Sequence, residues 1–91
     1  MNVTSDNPPT ESGSNEQIAR STVAIGEIVR KRRKALGLKQ TDMAGIGGTG
    51  NRFIVDLESG KPTMQIQKVL NALHLLGLEV VVRAKTERGV M

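Results

Sequence analysis

Glycines at 37, 45, 47, 48, 50, 60 and 77 cut the apolar pattern of this chain into short pieces. Glycine weakens a helix interior and enters the left-handed backbone region at no steric cost, so this punctuation implies short helices joined by tight turns. From Ala24 to Leu36, apolar residues recur at Ile25, Ile28, Val29 and Leu36 with charges between them, the spacing of an amphipathic helix ended by Gly37. A second helix is expected over Gln40–Gly47, burying Met43, Ala44 and Ile46. The glycine-dense run 45–50 then demands a tight turn or a close backbone approach. A third helix fits Asn51–Ser59, with Ile54 and Leu57 inward, stopped by Gly60 and the Lys61-Pro62 break. Thr63 is the expected N-cap of a fourth, whose stripe Ile66, Val69, Leu70, Leu73 and Leu76 ends at Gly77.

The two ends read differently. Residues 1–20 are rich in Asn, Ser, Thr, Pro and Gly and poor in apolar residues, so burial there cannot offset the entropy of ordering, and a disordered tail is expected. Residues 78–83, Leu78-Glu79-Val80-Val81-Val82-Arg83, are β-branched and form the single strand candidate. A lone strand leaves donors and acceptors unpaired along both edges, and its simplest partner is the same strand of a second copy across a two-fold axis. The expected fold class is an all-α helix-turn-helix domain of four to five short helices over 21–77. Its C-terminal β-strand at 78–83 pairs across a homodimer, and 84–91 is a flexible tail.

Composition narrows the function. The chain has 91 residues, no cysteine and one histidine, which excludes disulfides and thiolate metal sites and argues against a histidine metal site; no metal or cofactor is expected. His74 lies beside the fourth helix's stripe without a nucleophile or ligand near it in sequence, and reads as a surface or interface residue. The longest apolar run, Leu78–Val82, is far too short to span a bilayer, and residues 1–20 lack the pattern of a secretory signal. A cytoplasmic protein with no membrane partner is expected. The net charge is +4, unevenly spread: Arg20, Arg30, Lys31, Arg32, Arg33, Lys34 and Lys39 stand against Glu27 alone in residues 20–39. Such a basic segment suits phosphate binding, with Lys31–Lys34 read as phosphate-facing charge, although a solvated helix face has the same composition. Phe53 is the one aromatic residue, which counts against the stacking platforms of single-strand and RNA-loop binders.

Four short helices with a glycine turn between the second and third suggest helix-turn-helix, and particular residues carry that further. The gapless pattern Arg33-x-x-x-Gly37-Leu38-x-Gln40-x-x-Met43-Ala44-x-x-x-Gly48-x-x-x-x-x-Ile54-x-x-Leu57-Glu58-x-Gly60-Lys61 resembles the lambda-repressor/Cro-like (xenobiotic-response-element) family over roughly residues 25–77. The following Leu-Gly-Leu-Glu-Val-Val-Val narrows the likeness to HipB-type antitoxin-repressors, which add a strand to this domain and pair it across the dimer. Two departures stand out: Gly47, Thr49 and Gly50 occupy turn positions where small apolar and serine-like residues are commoner, and Phe53 replaces a small polar residue. Phe53 is read as packing under the first helix.

The resemblance implies roles for residues. Arg33 corresponds to the first-helix arginine that pairs with the glutamate closing the recognition helix, here Glu58, as a structural pair. Gln40 corresponds to the glutamine opening the second helix, where free N–H groups and the helix dipole attract phosphate. Gly48 is the turn glycine, while Met43, Ala44, Ile54 and Leu57 are core. Base-reading positions are Gly50, Asn51, Arg52, Val55 and Asp56, on a helix whose start meets base edges in the major groove. Asn51 suits adenine and Arg52 guanine; Asp56 either accepts from cytosine N4 or orients Arg52 one turn away. Lys39, Gln40, Thr49, Ser59 and Lys61 are expected phosphate contacts, which set affinity and register. Leu78, Val80, Val81 and Val82 are the dimer-strand positions.

Three function classes follow. The first is a repressor that binds a palindromic double-stranded operator as a homodimer. The second adds an antitoxin role: resemblance to HipB-type proteins implies binding and restraint of a HipA-type serine/threonine kinase toxin, in a bacterial cytoplasm and associated with the nucleoid. Its alternative is a stand-alone or phage-type repressor with no toxin partner. The third, an enzyme, lacks support, because no His/Asp/Ser constellation is present and the 45–50 glycines have neither a preceding strand nor a nucleotide-loop lysine.

Overall fold

The computed structural model describes residues 16–85, and four helices follow one another along it. They are α1 (Thr22–Ala35), α2 (Gln40–Gly47), α3 (Asn51–Ser59) and α4 (Ile66–Leu75). The second and third match the expected bounds. The first starts earlier than its apolar pattern suggests, because Ser21 caps it by accepting the Ala24 N–H at 3.0 Å. The fourth starts later: Gln65 and not Thr63 is its N-cap, without a side-chain cap bond. The expected tail at 1–20 lies mostly outside the described residues; 16–20 are exposed and irregular.

All four helices end by one device. The N–H groups of Leu38, Thr49, Lys61 and Leu78 reach back to the carbonyls of Arg33, Ala44, Asp56 and Leu73, at 3.1, 3.0, 3.1 and 2.9 Å. The residue before each donor is a glycine with positive φ: Gly37, Gly48, Gly60 and Gly77. This left-handed stop satisfies carbonyls that a helix end otherwise leaves open, so the chain turns four times without a long loop.

The core is small. Val29, Met43, Ala44, Ile54, Leu57, Ala72, Leu73 and Leu76 are buried, and Ile25, Leu38, Phe53, Met64, Val69 and Leu78 pack partly against them. Phe53 therefore packs, as its position implied. Several residues of the expected stripes do not. Ile46 is 63 % exposed, and Leu36, Ile66 and Leu70 also face outward. Periodicity assigns a face, but with three short partners only the part of that face overlapped by a neighbour is covered.

Residues 78–83 form no strand in the single chain, and among the described residues no other strand is present. Leu78 is half-buried, but Val80, Val81 and Val82 are exposed, Val82 to 93 %. A strand needs a paired edge, and one copy of this domain supplies none.

The tightest packing lies between α1 and α3. A Cβ on Gly26 would stand 2.6 Å from the carbonyl oxygens of both Leu57 and Glu58. One on Gly60 would meet the Val23 Cα at 2.7 Å, and Thr22 Oγ1 donates to the Gly60 carbonyl at 2.8 Å. Two glycines thus let the helices approach through their backbones. Gly26→Ala gains helix propensity of about 1 kcal/mol, yet its methyl collides with main-chain atoms that cannot rotate away. We expect a net loss of about 2 kcal/mol in urea unfolding, typical of overpacking. An unchanged or raised midpoint would show that α1 and α3 part without cost.

Candidate nucleic-acid interface

The site begins with a buried ion pair. Arg33 on α1 and Glu58 on α3 are joined twice: Nε to Oε2 at 2.6 Å and Nη2 to Oε1 at 3.0 Å. Their side chains are only 9 % and 5 % exposed. Arg33 Nη1 also donates to the Leu38 carbonyl at 2.8 Å, and Gln40 Nε2 donates to Glu58 Oε1 at 3.0 Å. The pair therefore joins α1, the turn after it, the start of α2 and the end of α3. Burial pushes the Glu58 carboxyl up, but hydrogen bonds from Arg33 and Gln40 and the charges of Arg33 and Arg30 outweigh it and hold the group below its ordinary value. The bond to Glu58 raises Arg33 in turn, against its own desolvation.

Above this lock runs an open groove of about 530 Å³ bordered by Arg30, Arg33, Leu38, Lys39, Gln40, Val55, Glu58 and Ser59. It brings the start of α2 beside the outer face of α3. The α2 N-terminus carries no side-chain cap; Asp42 instead accepts the Lys39 N–H at 2.8 Å. Its first N–H groups and dipole remain available to an anion. Gly50 is the extended N-cap of α3, and Asn51 and Arg52 follow in its exposed first turn. Val55 lies on the same surface.

The other sequence-derived residues distribute unevenly. Lys39, Ser59 and Lys61 are exposed along this surface, although the Ser59 hydroxyl donates to the Asp56 carbonyl at 2.9 Å. Gln40 is partly engaged by Glu58. Thr49 differs from its expected role in this conformation: its hydroxyl is buried without a partner and its N–H is bonded to Ala44, so neither group faces a phosphate. The basic run 31–34 is split as well. Arg32 Nε donates to the Leu76 carbonyl at 2.8 Å, closing the C-terminal end of α4, and Arg33 is inside the lock. A run of charges on a helix spans 360° in one turn, so its members necessarily face different neighbours. Arg30, which the sequence placed in the basic segment but not among the individual contacts, borders the groove. One residue escaped the sequence reading altogether. Gly26, isolated in an otherwise regular helix, was the visible mark of a close backbone approach. Among the described residues no group of acidic, histidine or cysteine side chains is arranged to hold a metal, and no helix is long and apolar enough to cross a membrane.

The depressed Glu58 carboxyl has a stability consequence. A group whose pKa is lower folded than unfolded contributes stability above its unfolded value and loses it as pH falls through its folded value. The wild-type melting temperature should therefore drop as pH passes below the ordinary carboxylate range. Glu58→Gln should be weaker at neutral pH by about 3 kcal/mol, since it leaves Arg33 buried without its counter-charge. Its acid slope should be shallower. Parallel slopes in circular-dichroism melts would show that Glu58 titrates alike in both states.

Comparison with known proteins bears on this geometry. No protein-family model matches the chain. The HTH-type transcriptional regulator y4mF of Sinorhizobium fredii strain NGR234 is 53 % identical over 64 residues, 70 % of this chain and 84 % of that protein. Among solved structures, the chain of a HipB–O4 20mer complex superposes with a TM-score of 0.71 at 17 % identity, over 78 % of this chain and all of that one. A structure described as MDT Protein gives the same values. The structural matches carry the fold, with its second and third helices joined by the glycine turn. The sequence match carries the family: this chain belongs to the helix-turn-helix transcriptional regulators.

Proposed function

We propose that this regulator is a repressor that binds a palindromic double-stranded DNA operator as a homodimer. One observation carries the reading: the Arg33–Glu58 lock presents the first turn of α3, with Asn51 and Arg52 exposed, beside the uncapped start of α2. An α-helix fits the major groove, and its leading residues meet base edges while flanking cations meet phosphate. In this reading Gly50, Asn51, Arg52 and Val55 face the bases, and Lys39, Gln40, Ser59 and Lys61, joined by Arg30, hold the backbone. Asn51 pairs with adenine and Arg52 with guanine. HipB, of the same fold, is captured with a 20mer, which supports a nucleic-acid partner for this surface.

The dimer rests on a separate argument. A core this small is marginal, and Val80, Val81 and Val82 are left exposed in the single chain. Pairing residues 78–83 with their two-fold mate would cover these valines and satisfy the backbone edge. The resemblance of its residues to HipB-type antitoxin-repressors supports a further part of this proposal, in which the chain is the antitoxin of a toxin–antitoxin module and its protein partner is a HipA-type kinase. The protein would act in the bacterial cytoplasm, at the nucleoid.

Duplexes selected from a random pool by the wild-type protein provide the test. Asn51→Ala/Arg52→Ala should lose preference for the selected sequence by about 100-fold, at roughly 1–3 kcal/mol per bidentate contact, while keeping weak, salt-dependent binding. Full retention of preference would move the reading surface elsewhere, with the basic face of α1 the next candidate. Val81→Pro, which removes a ladder donor, should sediment as a monomer and bind half-sites without cooperativity. A dimer of unchanged strength would remove the strand from the interface. Co-expression with the product of a neighbouring kinase gene should yield a stable complex; its absence leaves a stand-alone repressor.

A further inference from the structure

Asp56 is an acidic residue on the outer face of α3, the proposed recognition surface, where a carboxylate facing phosphates is costly. Its surroundings explain its presence. Oδ1 lies 3.2 Å from Arg52 Nε, and Oδ2 lies 3.6 Å from Lys61 Nζ, so each oxygen holds one cation. The Asp56 side chain is 18 % exposed, whereas those of Arg52 and Lys61 are 85 % and 49 % exposed. The same residue anchors Lys61 through the main chain, since the Asp56 carbonyl accepts the Lys61 N–H at 3.1 Å. The fixed member of this trio is thus the carboxylate at its centre.

We propose that Asp56 is a positioning residue for DNA recognition: it holds Arg52 and Lys61 at set places on the α3 surface and thereby sharpens sequence discrimination without touching a base. The proposal rests on the reading of α3 as the recognition helix. Its chemistry follows from the atom engaged. Asp56 lies at ion-pair distance from the Nε side of the Arg52 guanidinium, which leaves both terminal nitrogens on the outer edge, and a bidentate grip on guanine O6 and N7 can use that edge. A long side chain in solvent loses rotamer freedom when it binds; one already held loses less. The carboxylate is offset by two cations, so the trio as a whole remains positive toward phosphate. Both carboxylate oxygens are engaged, which favours this role over acceptance from cytosine N4.

A double-mutant cycle of Asp56→Asn and Arg52→Ala tests the proposal, with each protein titrated against the selected duplex and a scrambled one. Melting curves and helix content establish that each variant is folded. Asp56→Asn should reduce the ratio of selected to scrambled affinity by about tenfold, the scale of coupling between residues in contact. Its affinity for scrambled DNA should hold or rise, since a negative charge is gone. In the Arg52→Ala background the same substitution should leave the ratio unchanged. In the free protein, Asp56→Asn should shift the Arg52 Nε–H resonance in NMR spectra. An additive cycle would overturn the proposal and make Asp56 an independent reader, and an equal gain on both duplexes would reduce it to bulk charge. If Arg52→Ala by itself left the ratio intact, the recognition-helix reading would fail, and the proposal with it.

Discussion

The buried pair of Arg33 and Glu58 is the interaction on which the geometry of this domain depends. α3 has nine residues, too few to be stable as an isolated helix, and its tilt relative to the rest must be imposed from outside. Hydrophobic contact through Ile54 and Leu57 is non-directional and permits rotation or sliding. The planar fork of Arg33, engaged by both oxygens of Glu58, does not. Gln40 on the same carboxylate and Leu38 on the same guanidinium bring the start of α2 into register with the end of α3. Replacing such a pair with apolar residues can preserve stability; what would be lost here is the fixed angle between elements.

That lock works with close backbone contact. Gly26 admits the last turn of α3 against α1, and Gly60 admits the following turn against Val23. The ion pair and the glycines act on the same crossing, one by direction and the other by distance. The outer face of α3 is thereby turned away from the core, so Asn51 and Arg52 carry no packing duty. The 53 % identity with y4mF identifies the family, whereas the HipB chain shares the fold at 17 % identity.

The energetic weakness lies on the opposite account. Eight buried apolar side chains hold a domain whose second and fourth helices each leave large apolar residues outside, Ile46 on one and Ile66 and Leu70 on the other. The valines at 80–82 extend this surplus beyond the helices. Exposed apolar area of this kind is consistent with association, and in the proposed dimer the strand would give it direction.

Much of the architecture was legible in the residues. The bounds of α2 and α3 followed from glycine stops and apolar spacing, because a left-handed cap and a helical period are local properties of the chain. The pairing of Arg33 with Glu58 came from family resemblance and stands in the structure at 2.6 Å. The fates of Arg32, Thr49, Ile46 and Leu36 were not legible. Each depends on which neighbour lies over it: Arg32 was counted with the phosphate-facing charges and closes α4, while Ile46 belongs to an apolar stripe that no helix covers. Thr63 has the chemistry of a cap, but helix α4 begins at Ile66. The sequence by itself determined where helices stop and which face of each is apolar, since both are set within a turn or two of chain. Only the tertiary structure decided which charges are buried, which bind each other and which are left for a partner, because those outcomes depend on distances between residues far apart in sequence.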